Sequence, residues 1–207
     1  IDSPVAAWHL MKRGCQVIFV HFHSYPLLNT SSMEKASELA QLLTSFQYRS
    51  TLLMVPFADI QKRIVLSTPA LYRVVIYRRF MLRIGEALAR QQGAGALVTG
   101  ESLGQVSSQT LKNIAIIDDI ATMPVLRPLI GMNKQEIIQM AQNIDTYPVS
   151  ILSDQDCCTL FIPRHPVIYS NLETVTRLEA LLPVDSMVQK ALEQVELKEY
   201  AFPEPGE

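Results

Sequence analysis

Residues 99–110, T-G-E-S-L-G-Q-V-S-S-Q-T, are suited to chemistry rather than to core packing. Gly100 and Gly104 are interleaved with Ser, Gln and Glu. Glycine lets a backbone approach a ligand closely, and the hydroxyl and amide side chains supply neutral donors and acceptors. The same residues also fit an ordinary strand-to-helix turn, with Ser107 or Ser108 capping the helix that follows. A second group stands at the start of the chain. Asp2-Ser3-Pro4 has the composition of a helix start, with Asp or Ser as cap and Pro in the first turn. The free N–H groups and positive dipole end of such a helix make an anion site, although a plain cap reads the same way. The third group is Cys157 and Cys158, within S-D-Q-D-C-C-T-L-F-I-P-R-H-P. A reactive thiolate needs access and a lowered pKa; Asp154 and Asp156 oppose the latter and Arg164 favours it. Two buried cysteines before an apolar run is an equal reading from composition. Neighbouring cysteines would close a strained ring if oxidised to each other. With His165 they also lack the ligand spacing of a zinc site, so no metal site is expected.

These groups need elements to position them. Ala96, Leu97 and Val98 read as a short buried strand, and the carboxyl end of a parallel strand is where open α/β sheets bind ligands. A first helix is expected over residues 5–13, ended by Gly14, with Cys15 a buried filler before a strand at 16–22. A helix at 33–46 and a strand at 51–55 follow, and strand, helix, strand implies a right-handed parallel crossover. A longer helix is expected over 71–92. There Val75, Arg78, Leu82, Gly85 and Ala89 share a face, placing the Arg78 guanidinium among apolar neighbours, where it needs a partner. Arg73, Arg79, Arg83 and Arg90 read mostly as a solvated face. Further on come a helix at 108–119, a short strand at 125–126, and a helix from Lys134 with Asn133 as cap and Glu136 at capping-box spacing. Two closing helices, 172–182 and 184–197, precede an acidic tail. Alternating strands and helices with apolar strands predict a three-layer α/β/α parallel sheet.

The chain has 207 residues, enough for one α/β domain with a full core. Apolar residues at 48% and charged ones at 18% exclude a disordered chain. No apolar run reaches membrane-spanning length. A net charge of −2 gives no overall basic footprint, so a grip on nucleic acid would need a local patch or another domain. Three cysteines do not make a disulfide framework, which favours a reducing cytoplasm.

Asp2-Ser3 at a helix start resembles the tail of the PP-loop, the pyrophosphate-binding signature of ATP pyrophosphatases. Other blocks follow in order: Met11-Lys12-Arg13-Gly14, Val20-His21-Phe22-His23-Ser24, Gly100 to Thr110, Arg127-Pro128-Leu129 with Lys134 and Glu136, and Asp156-Cys157-Cys158. Together they resemble the tRNA 4-thiouridine synthetase family, from Ile1 to about Pro166. The resemblance implies a PP-loop ATPase fold whose first strand lies upstream of Ile1. Residues 1–182 would form the adenylation domain and 183–207 a C-terminal helix and tail. It implies adenylation of the O4 of a tRNA uridine with loss of pyrophosphate, then displacement of AMP by persulfide sulfur. ATP and Mg2+ are the implied cofactors. His21, Phe22, Arg78, Gly100 and Gln109 would contact ATP. Asp2-Ser3 at the helix start would serve the pyrophosphate, with Asp2 itself capping the helix or bridging magnesium rather than touching phosphate, and Lys134 is the candidate cation. Cys157 aligns more naturally than Cys158 with the family's reactive cysteine. The implied partners are tRNA, a cysteine desulfurase as persulfide donor, and an RNA-binding N-terminal THUMP region absent from these residues. No membrane is implied, a homodimer is admitted, and a second role in thiamine thiazole synthesis accompanies some relatives. Two alternatives stand: another PP-loop ligase, with no need for Cys157, and a regulatory module that binds a nucleotide without turning it over.

Overall fold

In a computed structural model of the chain, residues 1–153, 160–161 and 166–203 are described. Cys157, Cys158 and His165 lie outside them.

Helix α1 (Asp2–Met11) leads into strand β1 (Phe19–His23), which pairs in parallel with β2 (Arg49–Pro56), from Phe19 opposite Leu52 to His23 opposite Pro56. Helix α2 (Ser31–Thr44) makes the crossover. After β2 come α3 (Ala58–Ser67), the long α4 (Arg73–Gln91), and β3 (Leu97–Val98), which pairs in parallel with β4 (Val125–Leu126). Between β3 and β4 lies α5 (Leu111–Asp118); after β4 follow α6 (Lys134–Asn143), the single turn α7 (Tyr147–Ser150), α8 (Leu172–Glu179) and α9 (Val184–Glu193). The chain then returns to the sheet as β5 (Glu196–Ala201), antiparallel to β2.

The side-chain alternation of β2 separates two apolar layers. Leu52 and Met54 face α2 at Ala40, while Leu53 and Val55 join the large cluster built by α3, α4, α5, α8 and α9. Opposite that cluster, α1, α2 and α6 pack together through Val5, Ala6, Leu43, Ile137 and Ala141. This is the expected three-layer α/β/α arrangement, with parallel pairing at β1–β2 and β3–β4.

Among the described residues β1 pairs with β2 alone and β3 with β4 alone. Their other edges border one cleft of about 670 Å³. Ala6, Ala7 and Leu10 of α1 cover it on one side, and Leu82, Gly85 and Ala89 of α4 on the other.

Several local expectations are corrected. α1 starts at Asp2 with Ile1 at its cap position, and no side chain caps it, so Asp2 and Ser3 sit inside the first turn. Cys15 is exposed, not a buried filler. The helix after the glycine loop starts at Leu111 and is capped by Thr110, whose hydroxyl accepts from the Asn113 N–H, rather than by Ser107 or Ser108. The last helix ends at Glu193, and part of the stretch expected to continue it is strand β5. On α4 the deepest guanidinium is Arg79, 2% exposed, where a solvated face was expected. Glu179 of α8 accepts from Arg79 Nε at 3.0 Å and from both Arg83 terminal nitrogens at 2.7 and 3.0 Å. The Ile116 carbonyl takes another Arg79 N–H. Burial alone would raise the Glu179 carboxyl, but hydrogen bonds from Arg83 and Arg79 outweigh it and hold its pKa below the ordinary value.

Candidate functional site

The loop after β3 is fixed at nearly every residue. Gly100 lies so close to the first turn of α1 that a Cβ there would stand 2.7 Å from the Asp2 carbonyl carbon and the Ser3 nitrogen. A side chain at this position would push α1 away. Glu101 is 3% exposed and accepts from Arg127 Nε at 2.7 Å and from the Thr99 hydroxyl at 3.0 Å. The Ser102 hydroxyl donates to the Met132 carbonyl, and the Leu103 N–H to the Ile130 carbonyl. Gly104 turns the chain with φ +76°, and its N–H closes the loop onto the Gln109 carbonyl at 2.8 Å. Gln109 is buried, and its side-chain oxygen has no hydrogen-bond partner among the described residues. A buried amide oxygen without a donor is costly, and an amino group on a bound ligand would satisfy it.

The other predicted residues gather at the start of α1. Asp2 is held on both oxygens, by Lys134 Nζ at 2.6 Å and Gln105 Nε2 at 2.9 Å. Lys134 owes its place to the Asn133 cap of α6, where the expected capping box with Glu136 is present. Asp2, Ser3, His21 and Lys134 line a pocket of about 470 Å³ together with Ser32 and Lys35. The His21 Nε2 stands 3.4 Å from the Ser32 hydroxyl.

The alternation along β1 sends Phe22 the other way. It packs edge-to-face on Phe57 and lines the cleft between β1 and β3, as do Arg78 and Gly100. Ser3 borders both spaces. The structure therefore brings Asp2, Ser3, His21 and Lys134 into one pocket and places Phe22, Arg78 and Gly100 around the adjoining cleft. Gln109 lines neither. His23 is buried, and burial pushes its pKa below the ordinary histidine value.

Four residues that sequence reasoning gave no role help build the site: Glu101, Arg127, Lys35 and Asn113. Arg127, which lies in the quoted Arg-Pro-Leu block, donates to Asp118 at 2.8 and 2.6 Å as well as to Glu101. Burial alone would lower its pKa, but these hydrogen bonds raise it above the ordinary value. Lys35 donates to the carbonyls of Ser150 and Leu152. Asn113, fully buried, donates to the Ser107 and Val167 carbonyls at 2.7 and 3.0 Å and accepts from the Ser170 N–H at 3.0 Å. The described residues on either side of Cys157 and Cys158 are thus tied back to the domain: Lys35, which lines the pocket, holds Ser150 and Leu152, and Asn113 of α5 holds Val167 and Ser170. A buried asparagine one turn into a helix was the available signal, since it must find partners beyond the helix.

The family model described as thiamine biosynthesis protein (ThiI) matches residues 1–184. A probable tRNA sulfurtransferase of Thermus thermophilus is 54% identical over 203 residues, covering 98% of this chain and 50% of that protein. One of Alkaliphilus metalliredigens is 44% identical over 198 residues, covering 96% of this chain and again 50% of the relative. The chain therefore spans about half the length of the curated relatives it matches. Among solved structures, a 4-thiouridine synthetase in complex with RNA and bound ATP superposes with a TM-score of 0.91 at 36% identity. That likeness covers 96% of this chain and 52% of the other.

Proposed function

The chain belongs to the thiamine biosynthesis protein (ThiI) family, and from that premise we propose that it is the ATP-dependent adenylating part of a tRNA sulfurtransferase. The observation that carries the reading is the contact between Gly100 and the first turn of α1. It joins the loop after β3 to a helix start that also holds Asp2 and Lys134.

In this reading His21, Phe22, Gly100, Gln109 and Arg78 receive the nucleotide. The buried Gln109 amide oxygen suits the exocyclic amino group of adenine. The N–H groups of the first turn of α1, at Ser3 and beyond, face the phosphates, and Lys134 adds a cation where charge grows on the departing pyrophosphate. The Asp2 carboxylate suits Mg2+, a hard cation that takes oxygen ligands and would neutralise phosphate charge. Lys134 would then exchange its bond to Asp2 for one to phosphate. The O4 of a tRNA uridine attacks the α-phosphorus and pyrophosphate leaves. Cys157, with Cys158 as the alternative, carries the incoming sulfur as a persulfide. Its terminal sulfur attacks C4, AMP departs with the oxygen, and a second thiol cleaves the S–S bond to leave 4-thiouridine and a disulfide.

A cysteine desulfurase would supply the persulfide, the sulfur would also be available for thiamine thiazole synthesis, and the setting would be the cytoplasm. A free, exposed Cys15 fits a reducing compartment. Residues 1–182 supply the adenylation domain, and α9 with β5 seals it. The cleft between β1 and β3 is assigned to a strand contributed from outside residues 1–207. The support is its position between two parallel strands that pair on their far sides alone among the described residues. An RNA-binding N-terminal region, supported by the relatives' greater length, would grip the tRNA.

The test uses the full-length gene product with unmodified tRNA transcript, ATP, magnesium and a persulfide donor. ATP-dependent 4-thiouridine that disappears in Cys157→Ser, with ATP binding kept, is the expected result. ATP consumed with no thiolated tRNA, whatever the donor, would reject it.

A further inference from the structure

Glu101 is an ionisable side chain lining the cleft between β1 and β3 together with Arg78, and the reading above gives it no task. Its two carboxylate oxygens are treated differently. Oε2 accepts from Arg127 Nε at 2.7 Å and from the Thr99 hydroxyl at 3.0 Å. Oε1 faces Arg78, whose Nη1 is 3.8 Å away. Arg127 is locked in turn by its two bonds to Asp118 at the end of α5. Asp118, Arg127, Glu101 and Arg78 therefore form a row of alternating charge from α5 through β4 and the glycine loop to α4. A carboxylate buried to 3% exposure is costly unless its partners are well placed. Arg127 and Thr99 meet that cost through Oε2, which leaves Oε1 to act on Arg78.

We propose that Glu101 is a positioning residue for the nucleotide: it holds the Arg78 guanidinium, 28% exposed at the edge of the cleft, in the direction from which it meets ATP. This rests on the assignment of Arg78 as a nucleotide contact. Glu101 acts through Arg78 and does not touch ATP.

Two effects oppose each other when the charge is removed. A carboxylate beside a polyphosphate repels it, so a Glu101 that acted through its field alone would weaken binding, and Glu101→Gln would tighten it. A Glu101 that holds Arg78 does the reverse, because a freed arginine has many rotamers to lose on meeting the ligand. The sign of the change separates the two.

The experiment is ATP binding by calorimetry on the full-length protein, for Glu101→Gln, Arg78→Ala and the double variant. Glu101→Gln is expected to weaken ATP binding about tenfold and to add less than about twofold once Arg78 is already alanine, as for residues acting in one chain. Unchanged or tighter binding, or full additivity, overturns the proposal. A second measurement needs no nucleotide: the rate at which phenylglyoxal modifies Arg78, read by mass spectrometry. Glu101→Gln is expected to raise that rate several-fold, and an equal or lower rate overturns the proposal. Should Glu101→Gln fail to fold, Thr99→Val, which removes one hydrogen bond to Oε2, is held to the same directions in both measurements. A wild-type protein that does not bind ATP rejects the nucleotide reading, while the labelling rate still decides whether Glu101 holds Arg78.

Discussion

Gly100 shows how a residue with no side chain sets the geometry of a site. The missing Cβ lets the loop after β3 touch the backbone of Asp2 and Ser3. Gly100→Ala must therefore move backbone, not a flexible side-chain end, and overpacking of this kind costs about 1–3 kcal/mol. The expected outcome is a chain that still folds, with a lower melting temperature and ATP binding weakened about tenfold or more, since the displaced α1 carries the N–H groups proposed to face the phosphates. Calorimetry against a circular-dichroism melt checks both. Asp2 makes a contrasting case, because its bonds to Lys134 and Gln105 are side-chain bonds at a half-open site. Asp2→Asn is expected to leave the melt within about 0.5 kcal/mol of wild type, as for changes away from a core. Its effect should appear in the magnesium dependence of ATP turnover, and an unchanged magnesium titration would remove Asp2 from that role.

At the scale of elements, α4 holds the domain together. Its buried Arg79 and half-buried Arg83 converge on Glu179 of α8. Glu179→Gln leaves Arg79 buried opposite a neutral amide, and breaking a buried pair in this way costs about 3–5 kcal/mol. The folded Glu179 pKa lies below its unfolded value, so its contribution is complete above the ordinary glutamate range and is lost as pH falls through the lowered folded pKa. Urea midpoints taken down the acid side should fall more steeply in wild type than in Glu179→Gln; parallel curves would mean the pair carries no acid sensitivity. The helix also shows where sequence reasoning stops. A single apolar stripe pointed to Arg78 as the guanidinium among apolar neighbours, but α4 is buried over most of its circumference, and the stripe rule does not rank arginines on such a helix. The capping box of α6 was legible because its chemistry is local, Asn133 to Glu136. β5 was not: E-L-K-E-Y-A contains helix formers, and its strand state comes from pairing with β2, a partner nearly 150 positions earlier.

At the scale of the whole molecule, the layered α/β/α order was readable from apolar strands alternating with helices, and ordered blocks of residues carried the family. The connection between the elements around the glycine loop and the segment that bears Cys157 was not readable, because Asn113, Thr110 and Lys35 act on backbone carbonyls, and a carbonyl carries no sequence signal. The cleft between β1 and β3 is also a property of the assembled layers. Appending the segment that precedes Ile1 in the gene is expected to raise the melting temperature of this chain by several degrees, as one more buried strand would. No change would refute the assignment of the cleft.

That cleft has a further consequence. If the cleft takes an outside strand as proposed, its two parallel edges, apolar lining and covering helix on either side make it a receptor for a short extended peptide. On that assignment a synthetic peptide of the proposed strand, supplied in trans, would strengthen nucleotide binding, and the same open edges would make the uncomplemented chain prone to self-association.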